Sequence, residues 1–155
     1  MQDFLLIHRI YSLMLMEKEP RPRMSQQELH PLLQAMLPVA RGIAATFGSH
    51  CEVVLHDLSH PRTSIVNIVN NSVTGRKIGD GIRDLVWNVL RSPDFADDML
   101  ANYRSVTSDG KTIKSTTILI RDDEKKAIGA LCINFDMTSF HKAKKAFDEF
   151  AVASE

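Results

Sequence analysis

Short polar side chains that can read a small molecule fall in two places in this chain. The first is the run NNSVTGRKIGDG, which carries Asn70, Asn71 and Arg76 among three glycines. Arg76, between Gly75 and Lys77, can pair bidentately with a carboxylate through its planar donor fork, and it can equally form a surface or structural ion pair. The amides of Asn70 and Asn71 can read an amide or amino group. The second place is the last third of the chain, with Thr107, Ser115, Thr117 and Asn134 on expected strands, where a rigid sheet would hold them toward a ligand. Threonine also has good strand propensity and often only pairs across a sheet, which is the competing reading. Asn134 is a polar amide in an otherwise apolar strand and must find partners. Asp109 and Lys114 are weaker candidates for the same role.

Patterns for covalent or metal chemistry are missing. His56 and His60 are expected in a strand and the turn after it, where that spacing does not align two imidazoles as a helix would. His50 and Cys51 are consecutive, so in a strand they point to opposite faces; a pairing of Cys132 with a distant histidine stays open. VTGRKIGDG carries neither the phosphate-binding loop with its lysine and hydroxyl nor the dinucleotide fingerprint. Asp122-Asp123-Glu124 reads as a solvated hairpin tip, because its spacing is not that of a calcium loop. We therefore expect no catalytic residue, no metal and no cofactor. Cys51 and Cys132 read as buried apolar thiols in a reducing, cytoplasmic setting.

These groups need elements to position them. Asn102 to Asp136 reads as three consecutive antiparallel strands. Asp109-Gly110 suggests a tight two-residue turn of type I′ between the first two, and Asp122 to Lys125 a second turn. Along the middle strand Thr112, Lys114, Thr116, Ile118 and Ile120 alternate with Ile113, Ser115, Thr117, Leu119 and Arg121, so each face passes from polar to apolar. The last strand, AIGALCINFD, reads as central and buried on both sides. Upstream, Leu29 to Phe47 has helical spacing, beginning either at the capping box Ser25 to Glu28 or at Pro31, and stopping at Gly48. Strands follow over Cys51–Leu58 and Thr63–Asn70, then the glycine-containing loop. One helix is expected with the stripe Ile82, Leu85, Val86, Val89 and Leu90. A shorter one should start at Ser92-Pro93 and carry Phe95, Met99 and Leu100. Phe140, Ala143, Phe147 and Phe150 stripe a C-terminal helix. Helix, two strands, helical middle, three strands, helix is the order of an α+β, PAS-like five-stranded antiparallel sheet flanked by helices.

The chain has 155 residues and a formal net charge of zero, so charge alone draws it neither to nucleic acid nor to anionic lipid. Residues 1–23 form an apolar leading segment and a charged, proline-broken linker, and residues 24–155 are expected to form the domain. The apolar run Phe4 to Met16 is too short to span a membrane, which needs roughly 20 residues.

Four separated blocks, CEVVLHDL, NNSVTGRKIGD, NYRSVTSDGKTIKSTTILIRD and ALCINFD, resemble the YheO-like PAS domain of bacterial transcriptional regulators, in order and spacing, from about Leu29 to about Phe140. The resemblance implies the sensory half of a regulator. The polar strand positions beside an apolar C-terminal helix lead us to expect a non-enzymatic domain that binds a small polar ligand and signals through its terminal helices, and we expect a homodimer. The resemblance also implies a C-terminal helix-turn-helix that touches DNA, for which the residues after Phe140 leave no room. The alternative is a ligand-free module that pairs two regulator chains through the leading segment, the phenylalanine stripe and Trp87.

Overall fold

The computed structural model describes residues 28–82 and 97–152. The leading segment, Ser25 of the expected capping box, most of the helix expected from Ile82 and the start of the one expected at Ser92 lie outside them. The first described helix, α1 (Pro31–Phe47), starts at its proline. His30 caps it, its Nδ1 accepting from the Leu32 N–H at 3.2 Å. Gly48, at φ 76°, ends it and donates its N–H to the Ala44 carbonyl.

Five strands follow: β1 (Cys51–Asp57), β2 (Ile65–Val69), β3 (Met99–Val106), β4 (Thr112–Arg121) and β5 (Ala127–Asp136). A single 3-10 turn at Pro61–Thr63 delays β2 by two residues relative to the expected start. Neighbours pair antiparallel in the order β2-β1-β5-β4-β3, so the last strand returns to the middle of the sheet. The last helix is α2 (Thr138–Phe150). This is the α+β, PAS-like five-stranded sheet with flanking helices.

Alternation gives the sheet two faces. Cys51, Val53, Leu55 and Leu131 bury Leu33, Ala40 and Ala44 of α1. Gly129 makes that contact close: a Cβ there would lie 2.3 Å from Leu33 Cδ2 and 2.8 Å from the His56 carbonyl oxygen. The opposite face carries Glu52, Val54 and His56 of β1, Ile113, Ser115, Thr117 and Leu119 of β4, and Ala130, Cys132 and Asn134 of β5, all buried. The expected change from polar to apolar along β4 is therefore not a change in exposure, because Ser115 and Thr117 are as buried as Ile113.

Other local expectations also change. Met99 and Leu100 belong to β3, opposite Ile118 and Thr117, not to a helix. Asp97 and Asp98 have φ of 50° and 59°, and Arg121 grips the Asp98 carboxylate at 2.7 Å, which holds the chain at the entry to the strand. The β3–β4 turn is not type I′, since its central residues Ser108 and Asp109 lack positive φ, which falls instead on Gly110, at 84°. The Thr107 carbonyl accepts from the Gly110 N–H and the Thr107 N–H donates to Lys111, a β-turn followed by a left-handed residue. The β4–β5 turn repeats this arrangement, with Lys125 at φ 65° in the glycine's place.

Candidate ligand site

Register aligns polar residues across the sheet. Glu52 stands opposite Asn134, and Asn134 opposite Ser115. The loop after β2 supplies one more group. Asn70, at φ 59°, donates its amide to the Gly48 and Cys51 carbonyls at 3.0 and 2.8 Å, which ties the loop to the start of β1. The Asn71 carbonyl accepts from the Gly75 N–H, and the resulting turn sets Thr74 over Glu52.

A continuous hydrogen-bond chain results. The Thr74 N–H and hydroxyl donate to the Glu52 carboxylate at 3.1 and 2.8 Å, and Asn134 Nδ2 donates to it at 2.9 Å. Ser115 donates to Asn134 Oδ1 at 2.9 Å, and Ser105 lies 3.0 Å from the Ser115 oxygen. A hydroxyl has one proton, so with Ser115 donating to Asn134, Ser105 donates to Ser115. Every donor in the chain thus points toward Glu52, from β3 across β4 and β5 to β1. A second row runs beside it: Tyr103 Oη lies 2.8 Å from Thr117 Oγ1, which lies 3.5 Å from Cys132 Sγ. Burial pushes the Tyr103 phenol and the Cys132 thiol upward, against the hydrogen bond each shares with Thr117.

His56 and Arg76 complete the face. The His56 ring is fully buried, with Nδ1 2.8 Å from Ser64 Oγ and, among the described residues, no hydrogen-bond partner at Nε2. Burial, and then the nearby Arg76 cation, lower its pKa from 6.5 to about 3, so the ring is neutral. Arg76 donates from Nη2 to the Gly81 carbonyl at 2.9 Å, and its charge also acts on Tyr103 and Cys132.

Of the residues singled out in the sequence, Ser115, Thr117 and Asn134 come together, with Arg76 beside them. Asn70 and Asn71 brace the loop, and Thr107 sits in the β3–β4 turn, where its hydroxyl meets Asp109 and the Lys111 N–H. Sequence reasoning missed Glu52, Thr74, Tyr103, Ser105 and the role of His56. One signal was present: in CEVVLHD the charged Glu52 and His56 share the alternate set of Val54, inside a strand flanked by apolar residues. Thr74 had no signal beyond lying in the loop. The two imidazoles do not converge, since His60 is exposed and bonded to Ser59. Among the described residues no group of His, Cys, Asp and Glu is placed to hold a metal, and no helix is long and apolar enough to cross a membrane. The face offers hydrogen bonds, with an arginine at its border.

A family model described as the YheO-like PAS domain matches residues 27–152. The chain is 40% identical over 107 residues to the protein YheO of Escherichia coli K12, covering 68% of this chain and 45% of that protein. It is 33% identical over 125 residues to the transcriptional regulator DauR of Pseudomonas aeruginosa, covering 81% of this chain and 57% of that protein. The chain thus spans about half the length of these curated relatives. Among solved structures, the PAS domain of a Colwellia psychrerythraea protein aligns with a TM-score of 0.45 at 18% identity, covering 65% of this chain and 98% of that one. With the family match running from α1 through the sheet to α2, this chain belongs to the YheO-like PAS domain family.

Proposed function

We propose that this chain is the sensing part of a bacterial transcriptional regulator, binding a small polar ligand on the polar sheet face and signalling through its terminal helices. The observation that carries this reading is the chain of hydrogen bonds from Thr74 through Glu52, Asn134 and Ser115 to Ser105, whose three middle members are buried. A core that only had to be stable would place apolar side chains there, because buried polar groups contribute little net stability even when satisfied. The Nε2 of His56, without a partner among the described residues, adds a polar atom that a ligand can satisfy. Ser115, Thr117, Asn134 and Arg76 are the proposed contacts, and the loops holding Asn70, Asn71 and Thr107 border them. The role is non-enzymatic and needs no cofactor.

Asn134 gives the ligand a route to the output. It lies near the end of β5, and Asp136 Oδ1 accepts from the Thr138 N–H at the start of α2. A ligand that competes for the Asn134 amide would bias the position of α2, and about 1.4 kcal/mol of preference for one arrangement changes the population ratio tenfold. DNA contact, in this reading, belongs to a helix-turn-helix outside this chain, consistent with relatives about twice as long and with one of them being a named transcriptional regulator. Two buried thiols fit a cytoplasmic site of action.

Thermal-shift screening of amino acids, amines and carboxylates tests the proposal. At least one compound should raise the melting temperature of the parent chain and lose that effect with Thr117→Val, which keeps shape and removes the hydroxyl. Silence across the panel, or a shift that Thr117→Val and Ser115→Ala both retain, would count against it.

A further inference from the structure

Helix α2 buries none of its residues, and Phe140, Phe147 and Phe150 are 57%, 73% and 90% exposed. Exposure rises along the helix, whose start touches the sheet: the rings of Phe135 and Phe140 meet edge to face at 5.8 Å. Phe140, Ala143, Phe147 and Phe150 follow a spacing of three, four and three, which places them along one seam of the kind that packs against another helix.

The charges on α2 run against its own dipole. A helix is stabilised by acidic groups near its N-terminus and basic groups near its C-terminus. Here the first turn has no acid and the last turn no base. Lys142, Lys144 and Lys145 come first, and Asp148 and Glu149 follow in the last turn. The pairs within the helix, Lys144 with Asp148 and Lys145 with Glu149, have the lysine on the N-terminal side, the weaker orientation. A second copy running the opposite way corrects this, since its acidic end lies along the basic half and its dipole opposes the first.

We infer that α2 pairs antiparallel with α2 of a second copy, around a two-fold axis near Lys145. Size complementarity supports the same register. Phe147 then packs on the partner's Ala143, and Phe140 meets the partner's Phe150, so large side chains fill the space left by small ones. A parallel pair would instead stack Ala143 on its equivalent between layers of phenylalanine and set Lys142 level with its own copy rather than with Asp148. The three rings expose roughly 400 Å² per helix, so the pair buries roughly 800 Å² in all, below the ~1,200 Å² of a stable standard interface. Association through α2 is accordingly weak and reversible.

Sedimentation equilibrium of the full chain, from about 10 μM to about 1 mM, reads the association. Phe147→Glu should raise the dissociation constant on the order of 100-fold or more, since a two-fold axis places the change twice in the interface. Orientation is read by oxidising a mixture of Ala143→Cys and Phe147→Cys chains; the buried Cys51 and Cys132 do not compete. The mixed disulfide should dominate. A parent that stays monomeric throughout, including one whose seam is covered by its own residues 1–23, overturns the proposal. So does a Phe147→Glu chain that associates like the parent, or a product dominated by Ala143→Cys homodimers.

Discussion

Acid should destabilise this domain through one imidazole. His56 is fully buried, and its pKa in the folded chain is lowered to about 3 from an ordinary 6.5, by burial first and by the Arg76 charge second. In the unfolded chain the ring takes up a proton near 6.5. Between these two values the unfolded state binds more protons, so stability is fully present above about pH 6.5 and falls as the pH drops toward 3. The slope is about 1.4 kcal/mol per pH unit, which makes the loss about 2 kcal/mol by pH 5 and on the order of 5 kcal/mol by pH 3. A loss of about 2 kcal/mol is a large share of the ~5–15 kcal/mol that holds a domain together. The assay is urea denaturation at several pH values from 7.5 to 5, comparing the parent with His56→Gln. Glutamine does not titrate and can still bond Ser64, so the other histidines contribute equally to both chains. The parent should lose about 2 kcal/mol more than the variant across this range. Parallel pH dependences in the two chains would refute the argument that His56 is held neutral by its surroundings.

Two further perturbations probe the same packing. Gly129→Ala puts a methyl group against the His56 carbonyl and Leu33, and because backbone cannot yield there it should cost about 2–3 kcal/mol in urea denaturation; a neutral substitution would mean α1 can lift from the sheet. Asn134→Ala leaves the Glu52 carboxylate and the Ser115 hydroxyl each short of a buried partner and should cost about 3 kcal/mol, whereas Ser105→Ala at the end of the chain should cost about 1 kcal/mol. Equal losses would show that the bonds do not act as one connected row.

Part of the candidate site is legible in the sequence. Ser115, Thr117 and Asn134 stood out because a polar side chain inside a β-rich apolar run cannot be satisfied by its own strand, whose backbone groups are already paired across the sheet. Asn70 and Thr107 looked alike by residue type yet went to local bonds, the amide of Asn70 to Gly48 and Cys51 and the hydroxyl of Thr107 within its own turn. In turns, short polar side chains compete for nearby backbone, and sequence alone does not separate that use from ligand contact. Glu52 was missed because a carboxylate in a buried strand is tolerable only if distant residues supply its donors, and Thr74 and Asn134 lie 22 and 82 positions away.

The sequence by itself determined several local elements: the period-two runs of β4 and β5, the helix after His30, the turns ending at Gly110 and Lys125, and the seam of α2. Each depends on interactions within a few residues, where the backbone preferences and side-chain spacing are complete in the local string. Tertiary structure alone decided that β5 returns between β1 and β4, that Glu52, Asn134 and Ser115 stand in one row, and that His56 is buried beside Ser64. Those outcomes depend on register between strands far apart in the chain and on what covers each face, and both are settled by packing the sheet as a whole.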